Sequence, residues 1–546
     1  MASRFETHEV ANQAPPLVDY DVFGTDQALG EGVEREGGGW GGDELHEIGR
    51  RAGSADAQEL GKQANENPPV LRTHDRYGNR VDVVSYHPAY HDLMTVAVGH
   101  GLHAAPWADP RPGAHVVRAA KVMTWYQVDG GHVCPISMTY SVVPALRHAP
   151  GLAAEWEPRF SSRTYDPANR PADAKDGATC GMAMTEKQGG SDVRANSTVA
   201  RPTDDGGYAL TGHKWFCSAP MSDAFLMLAQ APGGLSCFLV PRWLPDRNRN
   251  PIRIQRLKDK LGDRSNASSE IELVDTWGAR VGDEGRGVRT IIEMVNHTRL
   301  DCVLGATAIM RQGVAQATWH THYRSAFGSV LDAQPLMVNV LADLAVESEA
   351  AMAAALRLAR AFDADPNDQH EQRIKRLVTP IIKYWTCKRA PLHAAEALEC
   401  LGGAGYVEDS GLPRLFRQSP LNGVWEGSGN VICLDVLRAL AREPDALDAY
   451  WEEVGLAAGA DRRLDESIST LRKELDDLEL IEVRARRLVE RLATVFQGSL
   501  LVRCAPAAVA DAFCASRLST DAGRALGTLP TGIDMRTIVD RARPFT

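Results

Sequence analysis

Apolar positions change texture several times along the chain. Up to about residue 45 they show no period: the stretch is rich in Gly, Asp and Glu, including GEGVEREGGGWGG, and reads as an irregular arm over 1–45. From 46 to 175, helical patches such as ELHEIGRRAGSADAQELGKQA alternate with Pro-rich loops, which predicts an N-terminal α-helical domain. Between 176 and 290 the runs shorten to strand length (YALTGHKWFCS, AFLMLAQA, LSCFLVPRW, EIELVD), and turn signals DDGG, APGG and DRNRNP separate them. Strand-length runs divided by turns predict a middle β domain. From GVRTIIEMVNHTRLDCVLG onward apolar residues recur at three and four, predicting a bundle of long helices over 291–441. Residues 442–546 continue the helical period as an additional domain. The fold class expected is mainly α with a central β domain.

Length and composition sharpen this picture. With 546 residues the chain exceeds one ordinary core. Its 44% hydrophobic and 24% charged content is that of a soluble globular protein. A formal net charge of −11 excludes a wholly basic nucleic-acid coat, though not a local basic patch. The ten cysteines are scattered without a CxxC pair, as for reduced, buried thiols. The polar start MASRFETHEVANQAPP lacks a signal-peptide core, and no apolar run reaches membrane-spanning length, so a cytoplasmic location is expected. HPAYH (87–91) has a proline between its histidines, and HTH (320–322) puts its histidines on different helix faces; neither reads as a metal site.

Several short motifs carry chemistry. In MTEKQGGSD (184–192), Gly189 and Gly190 permit close backbone approach, and Thr185 and Ser191 offer hydroxyls beside exposed amides. Such a loop is either a plain glycine turn or a holder for a planar, polar-edged ring or a phosphate. In GHKWFCS (212–218), strand alternation places Phe216 and Ser218 on one face, where an aromatic and a hydroxyl can stack on and bond to a ring. In VWEGSGNVICL (424–434), Glu426 stands between a tryptophan and a Gly-Ser-Gly. By itself it suits a helix entrance, where a carboxylate is favoured by the helix dipole.

The order of these motifs resembles the flavin-dependent acyl-CoA dehydrogenases. MTEKQGGSD, GHKWFCS and KLGDRSNAS (260–268) resemble that family's middle domain. RSAFGSVL (324–331), ECLGGAGY (399–406) and VWEGSGN resemble its helical bundle. The arm, the TEKQGGSD wording and the long tail are similar to the AidB subgroup of alkylation-response proteins, whose extra C-terminal helical domain is implicated in binding double-stranded DNA.

The resemblance implies FAD lying between the β domain and the bundle. Met182, Met184, Thr185, Gly190 and Ser191 match the loop along the flavin ring, and Phe216, Cys217 and Ser218 the strand that flanks it. Arg324, Phe327 and Gln334, with Leu401, Gly402 and Gly403, match positions that hold the adenine end from a neighbouring subunit, which implies a homotetramer. Trp425, Gly427, Ser428, Gly429 and Asn430 close the cofactor pocket, and Glu426 matches the catalytic base. One branch of the family keeps its base on an earlier helix; Thr298 stands there and cannot serve. Arg299 matches an arginine beside the acyl pocket, and Arg438 is either a surface arginine or part of a substrate or DNA channel. Lys187-Gln188 and Ala219-Pro220 depart from the usual pattern near the acyl-CoA entrance, implying weak turnover, with short branched acyl-CoA as the substrate class.

The tail divides its charge. Residues 484–546 carry ten arginines (484, 486, 487, 491, 503, 517, 524, 536, 541, 543) against five acids (490, 511, 521, 534, 540). Arg484, Arg486, Arg487, Arg491, Arg503 and Arg517 are the candidates for non-specific DNA contact, which needs only clustered positive charge. The competing account is a solvated helix paired with nearby acids. Three functions remain: a DNA-binding flavoprotein with weak dehydrogenase activity, a fully active dehydrogenase whose tail serves only oligomerisation, and a DNA-protecting scaffold with structural FAD.

Overall fold

The structure, a computed structural model, describes residues 7–519 and 523–545. The arm is more ordered than its composition suggests. Gln27–Arg35 is a helix whose first turn is capped by Asp26, which accepts from the Leu29 amide at 3.2 Å. Leu29 and Val33, four residues apart, are buried. Gly32 lets this helix approach Pro335–Asp363 so closely that a Cβ would lie 2.4 Å from Leu356. The glycine-rich wording hid a capped amphipathic helix. The following helical region also contains an antiparallel hairpin, Val70–His74 with Arg80–Ser85, which packs against the β domain through Leu71 and Val84.

The middle domain is a seven-stranded sheet. Ala224–Ala231 pairs with both Val199–Pro202 and Gly234–Pro241, so the strand path closes on itself like a barrel. Closure leaves few exposed edges. One irregularity matters for function. Along Tyr208–Ser218, Lys214 pairs with Ile271 and Cys217 with Ser269, so the strand holds one residue more than its partner at Trp215–Phe216. This bulge turns the Trp215 amide out of the ladder to donate to the Thr185 carbonyl at 2.8 Å.

Three long helices, Gly287–Tyr323, Pro335–Asp363 and Gln369–Cys400, form the bundle. The tail is not a separate body laid on top. Its helix Ile481–Cys504 packs against Pro335–Asp363, Gln369–Cys400 and Gly429–Arg442, and Leu488, Leu492 and Phe496 share one apolar core with Leu344, Leu358 and Ile381. Ion pairs fasten the junction. Glu453 receives Arg357 and Arg503, each at 2.8 Å, and Arg517 reaches Asp343 at 2.5 Å and Glu347 at 2.9 Å. Arg503 and Arg517 are thus partly buried and engaged by these acids, which leaves less of their charge free than their place among the DNA-contact candidates implies. Net positive charge in a segment does not say which side chains reach the surface.

Candidate active site

The turn 424–430 is held under conformational strain. Glu426 has φ +56° and Gly427 φ +103°, and the left-handed region costs a non-glycine residue about 1 kcal/mol. Three carbonyls are fixed by cations from two bundle helices. Lys383 donates to the carbonyls of Trp425 at 2.8 Å and Gly427 at 2.6 Å, and Arg299 donates to that of Glu426 at 3.1 Å. Arg299 is itself aimed by Asp435 at 2.7 Å. Asp435 also lies 3.5 Å from Arg438, which remains half exposed at the outer rim.

This scaffold presents a carboxylate and leaves it unsatisfied. Oε2 of Glu426 is buried with no hydrogen-bond partner. Burial raises the carboxyl above its usual range, against the opposing pull of the Thr298 hydroxyl, Lys383 and Arg299. Trp425, oriented by donating to Asn422 Oδ1 at 3.0 Å, packs against two apolar clusters, one that includes Met138 with Met182 and Met184 also at its margin, and one that includes Cys302 and Cys387.

The β domain supplies the facing wall. Phe216 stands half exposed beyond the bulge, and Ser218 is partly exposed on the same face, 3.1 Å from the Ser268 hydroxyl. Cys217 points the other way, fully buried, so its side chain cannot reach this wall. The 184–191 loop is organised by Glu186, which pairs with Lys214 at 2.8 Å, both fully buried. Glu186 also accepts from Ser197 and from Gln188, which is thereby drawn into the loop. Lys214 and these hydrogen bonds hold the Glu186 carboxyl well below its usual range despite burial. Gly190 is required because a Cβ there would meet the Thr185 hydroxyl at 2.3 Å. Deeper in, the Cys134 thiol is pushed up to about 12 by burial, opposed by Lys260 and the Ser218 hydroxyl. Beside it Asp263 is buried with neither carboxylate oxygen partnered, and burial raises it to about 7.

A second set of predicted positions lies elsewhere. Arg324 is 26 residues beyond Thr298, at the end of the Gly287–Tyr323 helix, roughly 39 Å away at 1.5 Å per residue. There Arg324 donates to the Asn12 carbonyl and Gln334 to that of Ala326. Phe327 caps the Ser325–Ala326/Ser329–Val330 hairpin and is fully exposed. Leu401 is buried, whereas Gly402 and Gly403 face open space at the end of Gln369–Cys400. No single chain brings these residues to Glu426. The tail arginines near the turn are partly engaged: Arg486 donates to Asn430 Oδ1 at 2.9 Å, Arg487 and Arg491 share Glu474, and Arg484 donates to the carbonyls of Glu474, Asp477 and Glu479.

Residues 12–167 match the adaptive response protein AidB N-terminal domain, 181–276 the acyl-CoA dehydrogenase middle domain, and 285–441 the acyl-CoA dehydrogenase C-terminal domain. The chain is 45% identical to AidB of Escherichia coli (strain K12) over 521 residues, covering 95% of this chain and 96% of that one. The chain belongs to the acyl-CoA dehydrogenase family. Its similarity to Caenorhabditis elegans acyl-CoA dehydrogenase family member 11 is 30% over 491 residues, covering 82% and 78% of the two chains. The crystal structure of C. elegans ACDH-11 in complex with C11-CoA superposes with a TM-score of 0.86 at 27% identity, over 99% of this chain and 98% of that one.

Within this family frame, three working residues had escaped the sequence reading. Lys383 sits in the apolar run IIKYW, where a lone buried lysine is itself a signal that something must be paired. Glu186 was legible only as one letter of a loop motif; its lysine partner lies 28 residues away. Asp263 gave no sign, because burial without a partner depends on elements distant in sequence. Among the described residues no group of three His, Cys, Asp or Glu side chains is arranged to hold a metal, and no helix is long and apolar enough to cross a membrane.

Proposed function

We propose that this chain is an FAD-dependent dehydrogenase of acyl thioesters, with Glu426 as its base. The observation that supports this best is the Glu426 carboxylate, whose buried Oε2 has no hydrogen-bond partner, on a turn fixed by Lys383 and Arg299. The residues fit a flavin: an apolar, partly exposed wall of Met182, Met184, Phe216 and Trp425, a hydroxyl at Ser218, and glycine backbone at 190 and 427–429. The flavin, when bound, supplies the acceptor for the hydride from the substrate β-carbon. Glu426 takes the α-proton, and its raised pKa makes it a stronger base than an exposed carboxylate. Glu426 would then hold the α-proton of a substrate that leaves as an α,β-unsaturated thioester. Thr298 and Arg299 orient the base without exchanging protons with substrate.

The ring end and the adenine end of such a cofactor are served by residues too far apart in one chain, so the working form is an oligomer, a homotetramer on family habit. The exposed Phe327, Leu336 and Tyr406 are the surfaces this assembly covers. Weak turnover, double-stranded DNA binding and a role in alkylation response form the finer part of this reading; it rests on the match to the adaptive response protein domain and on Arg484, Arg486, Arg487 and Arg491.

Anaerobic titration of the flavin-loaded protein tests the proposal. Acyl-CoAs from short branched chains to eleven carbons should bleach the flavin, and DNA retention measured alongside should fall steeply with salt. A protein that takes up no FAD, or whose flavin no acyl-CoA bleaches, would overturn it.

A further inference from the structure

We infer that the C-terminal helical region is part of the active site, with Arg486 of the Ile481–Cys504 helix as a positioning residue for the Glu426–Asn430 turn. The inference rests on the reading of that turn as the seat of the base and of flavin contacts.

The cations already described act on one half of the turn. Lys383 and Arg299 secure the carbonyls of 425, 426 and 427, all from bundle helices. The second half, Ser428 to Asn430, opens the Gly429–Arg442 helix, and Ser428 makes no side-chain capping bond there. It is secured from the tail instead. Arg486 Nε donates to Asn430 Oδ1 at 2.9 Å, across 56 residues of sequence. The contact is tight: a Cβ on Gly429 would lie 3.2 Å from Arg486 Nη2, 2.9 Å from Lys388 Cε and 3.3 Å from the Tyr384 ring. Gly429 is therefore pinned between a bundle helix and a tail helix. Arg486 is also near enough to Tyr384 and Cys433 to oppose the burial-driven rise of each.

Arg486 differs from its neighbours. Arg487 and Arg491 lean on Glu474, and Arg503 on Glu453, whereas among the described residues Arg486 has no carboxylate partner and spends its guanidinium on the turn. The left-handed Glu426 persists only because its surroundings over-determine it, and Arg486 adds a hold on the half of the turn that Lys383 and Arg299 do not reach. The tail thus completes the site as well as extending the bundle, and loosening the helix start at 481–487 would loosen the base.

The test is a double-mutant cycle of Arg486→Met and Asn430→Ala in the full chain, with Arg462→Met as control. Arg462 is on another tail helix, exposed and, among the described residues, paired only with Glu466. Two quantities are read: amide hydrogen exchange of 425–432 in cofactor-free protein, and FAD affinity by flavin fluorescence. Each single variant should speed exchange across the turn and weaken FAD about tenfold, as for loss of a charge-assisted hydrogen bond. The double variant should be no worse than either single one. Arg486→Lys should restore part of the loss, and Arg462→Met should change neither quantity. Additive effects, or exchange unchanged in Arg486→Met, would overturn the inference. If the wild type takes no FAD the flavin reading fails, while the exchange arm still decides the role of Arg486.

Discussion

Glu426 and Asp263 are two buried carboxyls whose environments push both upward, and each gives a pH-dependent prediction. If Glu426 is the base proposed, its reactive form is the carboxylate, so kcat/KM should rise with pH through a value above the ordinary 4.5, read from the acid limb of its pH profile. Glu426→Gln should lower flavin bleaching by about 10²–10⁴-fold while FAD stays bound, measured by stopped flow. Asp263 carries its effect in stability. Its folded pKa, about 7, exceeds the unfolded value near 3.8, so the folded state is penalised increasingly as pH rises from 3.8 to 7. Asp263→Asn, which keeps a side chain tolerant of φ +50°, should raise stability above pH 7 by on the order of 3 kcal/mol and leave it unchanged below pH 4. Denaturant melts at both pH values decide this.

At the scale of elements, single contacts between distant segments set the site. The bulge at Trp215–Phe216 brings Phe216 out of the sheet while its amide neighbour grips the 184–191 loop. Strand alternation in the sequence put Phe216 and Ser218 on one face, and both are at least partly exposed around the buried Cys217, but no local pattern announces an extra residue in a ladder. The tail helices are held by buried acids with the opposite pH sign. Burial opposes ionisation of Glu453 and Glu347, but paired arginines hold both at about 2. Their stabilisation is present above the unfolded value near 4.5 and is lost as pH falls from there toward 2. The tail should therefore loosen in acid. Hydrogen exchange over 481–504 should accelerate between pH 4.5 and 3, and Glu453→Gln should reproduce part of that loosening at pH 7.

Across the whole molecule, one apolar core runs from the N-terminal helices through the bundle into the tail. Removing 442–546 would strip Leu488, Leu492 and Phe496 from that core and Arg486 from the catalytic turn. Such a truncation should be poorly soluble and retain flavin weakly, checked by soluble yield and absorbance at the flavin band. The exposed hairpin tip makes the companion prediction: Phe327→Asp should reduce the assembly's mass by light scattering and lower flavin content, with the folded chain's helicity unchanged.

The sequence by itself determined the layer order, the β domain between helical halves, and the motif residues around Glu426. These are periodic or local signals, carried by neighbours along the chain. Only the tertiary structure decided that the glycine-rich arm holds a capped helix, that Arg503 and Arg517 are tied to buried acids, and that Lys383, Arg299 and Arg486 converge on one strained turn. The reason is physical: burial, ion pairing and the partnering of a carboxylate are set by residues tens to hundreds of positions apart. A sequence shows which charges exist, and only packing shows which of them are left without a partner.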